Sequence, residues 1–307
     1  MDETIVPTSY SDIRYYLRCP REYQFRKSFN FSPPISEMFG FGMTVHAAVC
    51  KLHELYKLEA PTIDQAEDLA RRVFHLKHVP PSRDPQNSPG AYERAKDSAS
   101  EIVKRYADSY AQDFTRERQV EARFEVPVSR AVISGSIDLL LRVDEQNNIL
   151  DASVIDFKAI EGGLEPEKNE DLHWTELALQ VQLYAKAAHE VLGENARTGA
   201  VHLLKDNQRI EVPVDDNAME AAVANVEWAV ERIINREFPM RPHRDKCESC
   251  DFKLLCPKIL EDFQTPGSPP PIHVPGPDPS RLARAFSELD GGAAAAAVPT
   301  LKKKHGR

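Results

Sequence analysis

The run Val132–Ala159, VISGSIDLLLRVDEQNNILDASVIDFKA, decides how the rest of the chain is read. Its first half, Ile133–Arg142, is β-rich and carries Asp138 among apolar neighbours. A turn signal at Asp144–Asn148 follows, and Ile149–Ala159 reads as a second strand with Asp156 and Lys158 two residues apart. Alternation along a strand puts Asp156 and Lys158 on one face and Ile155 and Phe157 on the other. If the two strands pair, Asp138 joins the charged face. Unpaired buried charge is costly, so two carboxylates and an ammonium on a covered sheet need a reason. One reason is a divalent cation on oxygen ligands, which suits Mg²⁺ or Mn²⁺. The other is an ion pair of either aspartate with Lys158 inside the core. These three residues alone leave the two readings level.

Working outward, Glu121–Ser129 also alternates, so three successive strands with short connections predict an antiparallel meander. On the N-terminal side, Ser9–Lys27 predicts a helix opened by a Ser or Asp cap and broken by Pro20 just after Cys19. Gly40–Leu58 predicts a second helix, with an apolar stripe at Val45, Val49, Leu52 and Leu55 or Tyr56. Asp64–Leu76 and Ala91–Tyr110 predict two more, around a Pro/Ser/Asn-rich connection at Pro80–Gly90. On the C-terminal side come a polar loop at Glu161–Asp171 and a long amphipathic helix at Trp174–Leu192. Strands at Thr198–Lys205 and Arg209–Pro213 and a last helix at Asn217–Arg236 follow. Residues 1–262 are expected to form one folded domain. Residues 263–307 are Pro-rich, then Ala-rich, end in LKKKHGR, and read as a flexible tail without the apolar surface to order itself.

At 307 residues and 41% hydrophobic, the chain is long and apolar enough to bury a sizeable core, which excludes a wholly disordered protein. No apolar run approaches the roughly 20 residues of a spanning helix. Met1–Thr8 also lacks the apolar core of a signal peptide. A soluble, cytoplasmic protein with no membrane partner is expected. No G-x-x-x-x-G-K-[ST] segment is present, so the chain carries no P-loop motor. The net charge of −9 argues at first against a phosphate-binding protein. Its distribution answers much of that. Residues 1–130 hold 19 basic and 19 acidic residues, and 241–307 hold 11 against 8, while 131–240 hold 9 against 21. The deficit therefore sits around the candidate cation carboxylates, where bound cations would offset part of it. Of five cysteines, Cys247, Cys250 and Cys256 cluster with C-x2-C-x5-C spacing. An odd count without a secretory signal points to metal rather than disulfides. Three thiolates need a fourth, for which Cys19 is the candidate; Cys50 is expected to be a small buried hydrophobe.

Four short motifs occur in order: Gly42-Met-Thr-Val-His46, Gly135-Ser-Ile-Asp138, Asp156-Phe-Lys158 and Gln180-Val-Gln-Leu-Tyr184. Together they resemble the RecB-type branch of the PD-(D/E)XK nuclease superfamily, over about Ser9 to Cys256. That resemblance implies an α/β fold with a central mixed β-sheet flanked by helices, the restriction-endonuclease-like core. It also implies that His46, Asp138 and Asp156 are metal ligands, helped by the main-chain carbonyl of Phe157. Lys158 would stabilise charge on the attacked phosphate or orient the attacking water. Gln180 and Tyr184, one helical turn apart, would position substrate and the lysine. The second acid is Asp where Glu is commoner in such enzymes.

The split cysteine arrangement resembles the iron–sulfur staple of AddB-type helicase–nucleases and of CRISPR-associated exonucleases. It implies a [4Fe–4S] cluster on Cys19, Cys247, Cys250 and Cys256 that joins the N- and C-terminal segments. A four-cysteine Zn²⁺ site is the alternative. Arg14, Arg18, Arg21, Arg26 and Lys27, interleaved with Tyr15, Tyr16, Tyr23 and Phe25, suit a single strand, since charges follow phosphates and rings stack on bases. A solvated helix face with its aromatics in the core fits the same pattern. Arg241, Arg244, Lys246, Lys253 and Lys258 add positive charge on the other side of the staple. The function these readings imply is a Mg²⁺- or Mn²⁺-dependent DNA exonuclease acting on single strands or unwound ends in repair, recombination or defence. A separate helicase is the partner they imply. The alternative is a non-catalytic module that holds DNA ends or a partner protein.

Overall fold

The computed structural model describes residues 5–33, 37–144, 150–159, 171–242, 247–248 and 250–256. The sheet is organised by β3 (Ala131–Asp144), whose two edges are used differently. β2 (Arg118–Val128) runs antiparallel along one edge, from Arg118 opposite Leu141 to Val128 opposite Ala131. The other edge is shared. β1 (Val6–Ser9) lies parallel to Ala131–Ser134, and β4 (Leu150–Lys158) lies antiparallel to Leu139–Asp144. Gly135–Asp138 fall between them. β5 (Ala196–Leu203) then pairs parallel with β4, and β6 (Gln208–Val212) antiparallel with β5, giving a six-stranded mixed sheet.

The expected meander is present as β2–β3–β4, and the two later strands are present within two residues of their expected bounds. β1 is the strand the sequence reading lacks. It is four residues long, contains Pro7, and pairs with a segment far along the chain, so no local pattern announces it.

Helices cover both faces. α1 (Tyr10–Arg18), α6 (Asp171–Glu190) and α7 (Asp216–Ile234) enclose a core with Ile137, Leu140, Val154 and Val201. α3 (Glu37–Leu55), α4 (Ile63–Val73) and α5 (Ala91–Ser109) enclose another with Leu139, Leu141, Ile155 and Phe157. Successive residues of β4 thus feed opposite cores, as strand alternation requires. α1 starts where expected: the Ser9 hydroxyl accepts from Asp12 N, and the Asp12 carboxylate accepts from Ser9 N. It ends at Cys19, whose backbone is extended, and Pro20 opens the short α2 (Pro20–Tyr23). A π-helical turn at Gln24–Ser28 follows. α6 begins at Asp171, three residues before its expected start; 161–170 of the expected polar loop and the whole tail 263–307 lie outside the described residues.

The two ends of the domain meet through protein contacts. Arg26 bonds Glu22 at 2.9 Å and Asp251 at 2.6 Å, with its guanidinium over the rings of Tyr15 and Phe252. Phe25 stacks on Phe252, the Tyr16 hydroxyl donates to the Glu237 carbonyl at 2.6 Å, and Arg241 donates to the Leu17 carbonyl at 2.7 Å. Tyr16, Tyr23 and Phe25 are therefore buried structural residues rather than rings offered to bases.

Candidate active site

Asp138 stands at an irregularity that two strands share. Val120 packs against the core under α3–α5, yet Ala122 lies in the opposite core; Ile137 and Leu139 divide in the same way. Residues two apart on a regular strand would share a face, so alternation slips between them in both strands. The residues at the slip are Glu121 and Asp138, which fall between the paired positions Val120–Leu139 and Ala122–Ile137, where the ladder is interrupted. Glu121 takes up the distortion with a left-handed φ of 50° in mid-strand. On the far side of β3, Asp138 Oδ2 fills the interval between β1 and β4, accepting a 2.8 Å hydrogen bond from Phe157 N.

The same oxygen lies 3.0 Å from His46 Nε2, presented by α3. Burial works against a charged His46, but the bond to Asp138 outweighs it and the pKa is raised. Asp156, on β4, is fully buried. Lys158 Nζ lies 2.7 Å from its Oδ2 as an ion pair, while Oδ1 has no hydrogen-bond partner among the described residues. Burial pushes the Asp156 pKa up to about 6, Lys158 pulls against the shift, and Asp138 adds to it. The ion pair read from sequence as one of two accounts is thus present, and it leaves a buried carboxylate half satisfied. An orphaned buried oxygen within electrostatic reach of a second carboxylate suits a hard divalent cation, which takes oxygen ligands.

α6 supplies the remaining motif. Gln180 Nε2 donates to the Tyr184 hydroxyl at 2.8 Å. The Tyr184 pKa is raised by burial, with Asp156 contributing next, which places the phenol within electrostatic reach of the carboxylates. Its ring meets Phe124 edge-on at 5.4 Å, and Phe124 in turn occupies the space above Gly135, where a Cβ would lie 2.7 Å from Cζ. The glycine of the Gly-x-x-Asp motif therefore makes room for the residue that backs Tyr184.

The structure joins His46 to Asp138 and Lys158 to Asp156 by direct contacts, and Asp156 feels the charges of Asp138 and His46, with Tyr184 in electrostatic reach. The ligand atoms of His46, Asp138 and Asp156 do not all come within 4.8 Å of one another. Glu121 belongs to the same cluster, with Oε1 3.8 Å from His46 Nδ1, and no sequence motif marks it. Its signal lies in the register, since it and Asp138 occupy the break between the Val120–Leu139 and Ala122–Ile137 pairs. Tyr10 and Glu176 carry no motif signal either. Tyr10 donates to the Glu176 carbonyl and lies within electrostatic reach of Arg14, Asp156 and Tyr184. Away from this cluster, Cys19, Cys247, Cys250 and Cys256 line one small cavity with Glu22, Phe25 and Phe252, although Cys19 is more than two hundred positions from the others. Of the basic residues expected near it, Arg244, Lys246 and Lys258 lie outside the described residues.

The family model of the PD-(D/E)XK nuclease superfamily matches residues 7–257, which is most of the chain. The chain belongs to the PD-(D/E)XK nuclease superfamily. Nucleases of this superfamily typically use Mg²⁺ or Mn²⁺, and DNA is the substrate the fold implies. Two solved structures are similar to this chain. SSO0001 is 14% identical with a TM-score of 0.37, over 84% of this chain and 87% of that one. A candidate exonuclease from Eubacterium rectale is 16% identical with a TM-score of 0.49, over 87% of this chain and 92% of that one. No curated protein matches the sequence. Among the described residues, no helix is long and apolar enough to cross a membrane.

Proposed function

We propose that this nuclease is a Mg²⁺- or Mn²⁺-dependent DNA exonuclease of the RecB-type branch, acting on single strands or unwound ends. The observation that carries the proposal is the buried, half-satisfied Asp156 carboxylate beside Asp138 and His46. His46, Asp138, Asp156 and the main-chain carbonyl of Phe157 would hold the cation. Bound there, such a cation supplies a water of lowered pKa and neutralises charge on the attacked phosphate. Asp138 holds His46 and the β4 backbone at Phe157 in place through one oxygen. Lys158, its side chain 22% exposed, offers an ammonium that would meet the charge developing on the phosphate. The Gln180 amide fixes the Tyr184 hydroxyl, which can then donate toward substrate or lysine.

The cavity lined by the four cysteines supports a [4Fe–4S] cluster on Cys19, Cys247, Cys250 and Cys256, with Zn²⁺ as the alternative occupant. The domain is taken as residues 1–262 with the tail at 263–307, a separate helicase as partner, and repair, recombination or defence as the setting.

The test is digestion of single strands labelled at either end, with Mn²⁺ and purified protein. Stepwise loss of label from one end is expected, and it disappears in Asp156→Ala and Lys158→Ala. Activity that survives both changes refutes the assignment. The absorption spectrum of the same preparation is expected to show a visible iron–sulfur band; a colourless protein holding stoichiometric zinc decides for the alternative.

A further inference from the structure

Cys50 and Glu121 have no part in the proposed reaction, yet both converge on His46. Cys50 follows His46 by four residues on α3, so the two side chains share a helix face, and Sγ lies 3.9 Å from both Nδ1 and Nε2. Glu121 reaches the same nitrogen from β2, with Oε1 at 3.8 Å. The Ser136 hydroxyl holds the other carboxylate oxygen at 2.6 Å, which keeps Oε1 turned toward the imidazole. These three residues form the one His/Cys/Asp/Glu group, among the described residues, whose ligand atoms all lie within 4.8 Å of one another.

Those spacings match a particular kind of ion. Around a tetrahedral zinc, bond lengths near 2.3 Å to sulfur and 2.0–2.1 Å to nitrogen or oxygen put S and N about 3.6 Å apart, and N and O about 3.4 Å apart. The two separations to Nδ1 are wider by a few tenths of an ångström, and because Sγ lies equally near Nε2, the Cys50 thiol has to swing toward the Nδ1 side to share an ion with it. A thiolate with an imidazole and one carboxylate also selects a softer ion than the all-oxygen sites of Mg²⁺. We infer that His46 Nδ1, Cys50 Sγ and Glu121 Oε1 form a second metal site, for a thiophilic divalent cation such as Zn²⁺. On binding, a metal–sulfur bond replaces the S–H bond of Cys50 and the proton leaves to solvent. Access is from the Glu121 side, where the carboxylate is 43% exposed.

A consequence follows that rests on His46 being a ligand of the catalytic cation, as proposed above. A neutral imidazole has one lone pair. With Nδ1 on zinc, Nε2 carries the proton and faces Asp138 Oδ2 at 3.0 Å, where it donates a hydrogen bond. His46 then has no lone pair for Mg²⁺ or Mn²⁺, and one oxygen of Asp138 is engaged. Zinc at the second site therefore excludes the catalytic cation from His46 and switches the nuclease off.

Two measurements on the full-length protein test the site and its consequence separately. In the first, Co²⁺ is added as a spectroscopic stand-in for zinc to wild type and Cys50→Ser, both with the four-cysteine group as isolated. The difference spectrum is expected to show a thiolate-to-cobalt charge-transfer band from one sulfur; identical spectra overturn the site. Should Cys50→Ser not fold, Glu121→Gln replaces it, and Co²⁺ affinity is expected to fall at least about 10-fold. Unchanged affinity there is equally fatal. In the second, Mn²⁺-supported digestion of a labelled single strand is titrated with Zn²⁺, each variant normalised to its own zinc-free rate. The inhibitory midpoint is expected to rise about 10-fold or more in Cys50→Ser and Glu121→Gln, and equal midpoints overturn the exclusion. If wild type digests nothing with Mn²⁺, the proposed reaction fails and the cobalt spectra alone judge the site.

Discussion

Replacing Gly135 by Ala tests whether the Gly-x-x-Asp glycine is there to seat Phe124. A Cβ at position 135 would lie 2.7 Å from Phe124 Cζ and 3.1 Å from Cε1. Carbon atoms prefer about 3.5–4.0 Å, so the ring must give by most of an ångström. It has little room to do so. Phe124 is 5% exposed and its far side meets Tyr184. Overpacking of this kind costs about 1–3 kcal/mol. For a domain of this size that lowers Tm by roughly 2–4 °C per kcal/mol. The displaced ring would also push on Tyr184, beside the carboxylate cluster. A double-mutant cycle with Phe124→Leu, followed by urea and thermal unfolding, isolates the contact, because leucine lacks Cζ. Gly135→Ala is expected to be much better tolerated in the Phe124→Leu background than in the wild-type one, with a coupling of about 1 kcal/mol or more. Additive effects, or a Gly135→Ala protein as stable as wild type, would refute the reasoning.

Two further predictions concern the buried cluster beneath Phe157. Asp113, 1% exposed, pairs with Arg209 at 2.6 Å, so Arg209→Met strands a buried carboxylate and is expected to cost about 3–5 kcal/mol in urea unfolding. A loss under about 1 kcal/mol would show that the pair is effectively solvated. His202 is fully buried, and burial, helped by the charge of Arg209, lowers its pKa to about 3. An unfolded histidine titrates near about 6.5, so between these values the unfolded chain takes up a proton that the folded one refuses. Stability therefore falls as pH drops through that window, by up to about 1.4 kcal/mol per pH unit. His202→Gln is expected to flatten the urea midpoint against pH below about pH 6 by that slope, and an unaltered slope would contradict the assignment.

What the sequence makes legible follows from the range of the interactions involved. The break after Cys19 is set by Pro20, and the strand faces of Asp156 and Lys158 by alternation; both are local and both are read correctly. β1 depends on a partner beyond five α-helices and a strand, and nothing within its four residues encodes that. Glu121 escapes a sequence reading because alternation fails where it sits: the strand slips there, and its side chain joins the cluster through a left-handed backbone that no periodic pattern anticipates. The aromatics around Cys19 illustrate the converse. Their interleaving with arginines fits a strand of nucleic acid and a buried helix face equally well, and the packing of Tyr16, Tyr23 and Phe25 against Phe238 and Phe252 decides it.

The most direct test of the proposed cation site is Mn²⁺ binding followed by electron paramagnetic resonance, without DNA, in wild type and Asp156→Asn. The amide keeps the shape of the buried side chain and removes the charge that the cation is argued to answer. Wild type is expected to bind Mn²⁺ at a site that Asp156→Asn weakens at least about 10-fold, while the two proteins unfold at similar temperatures. Equal Mn²⁺ affinity in the two proteins would contradict the account.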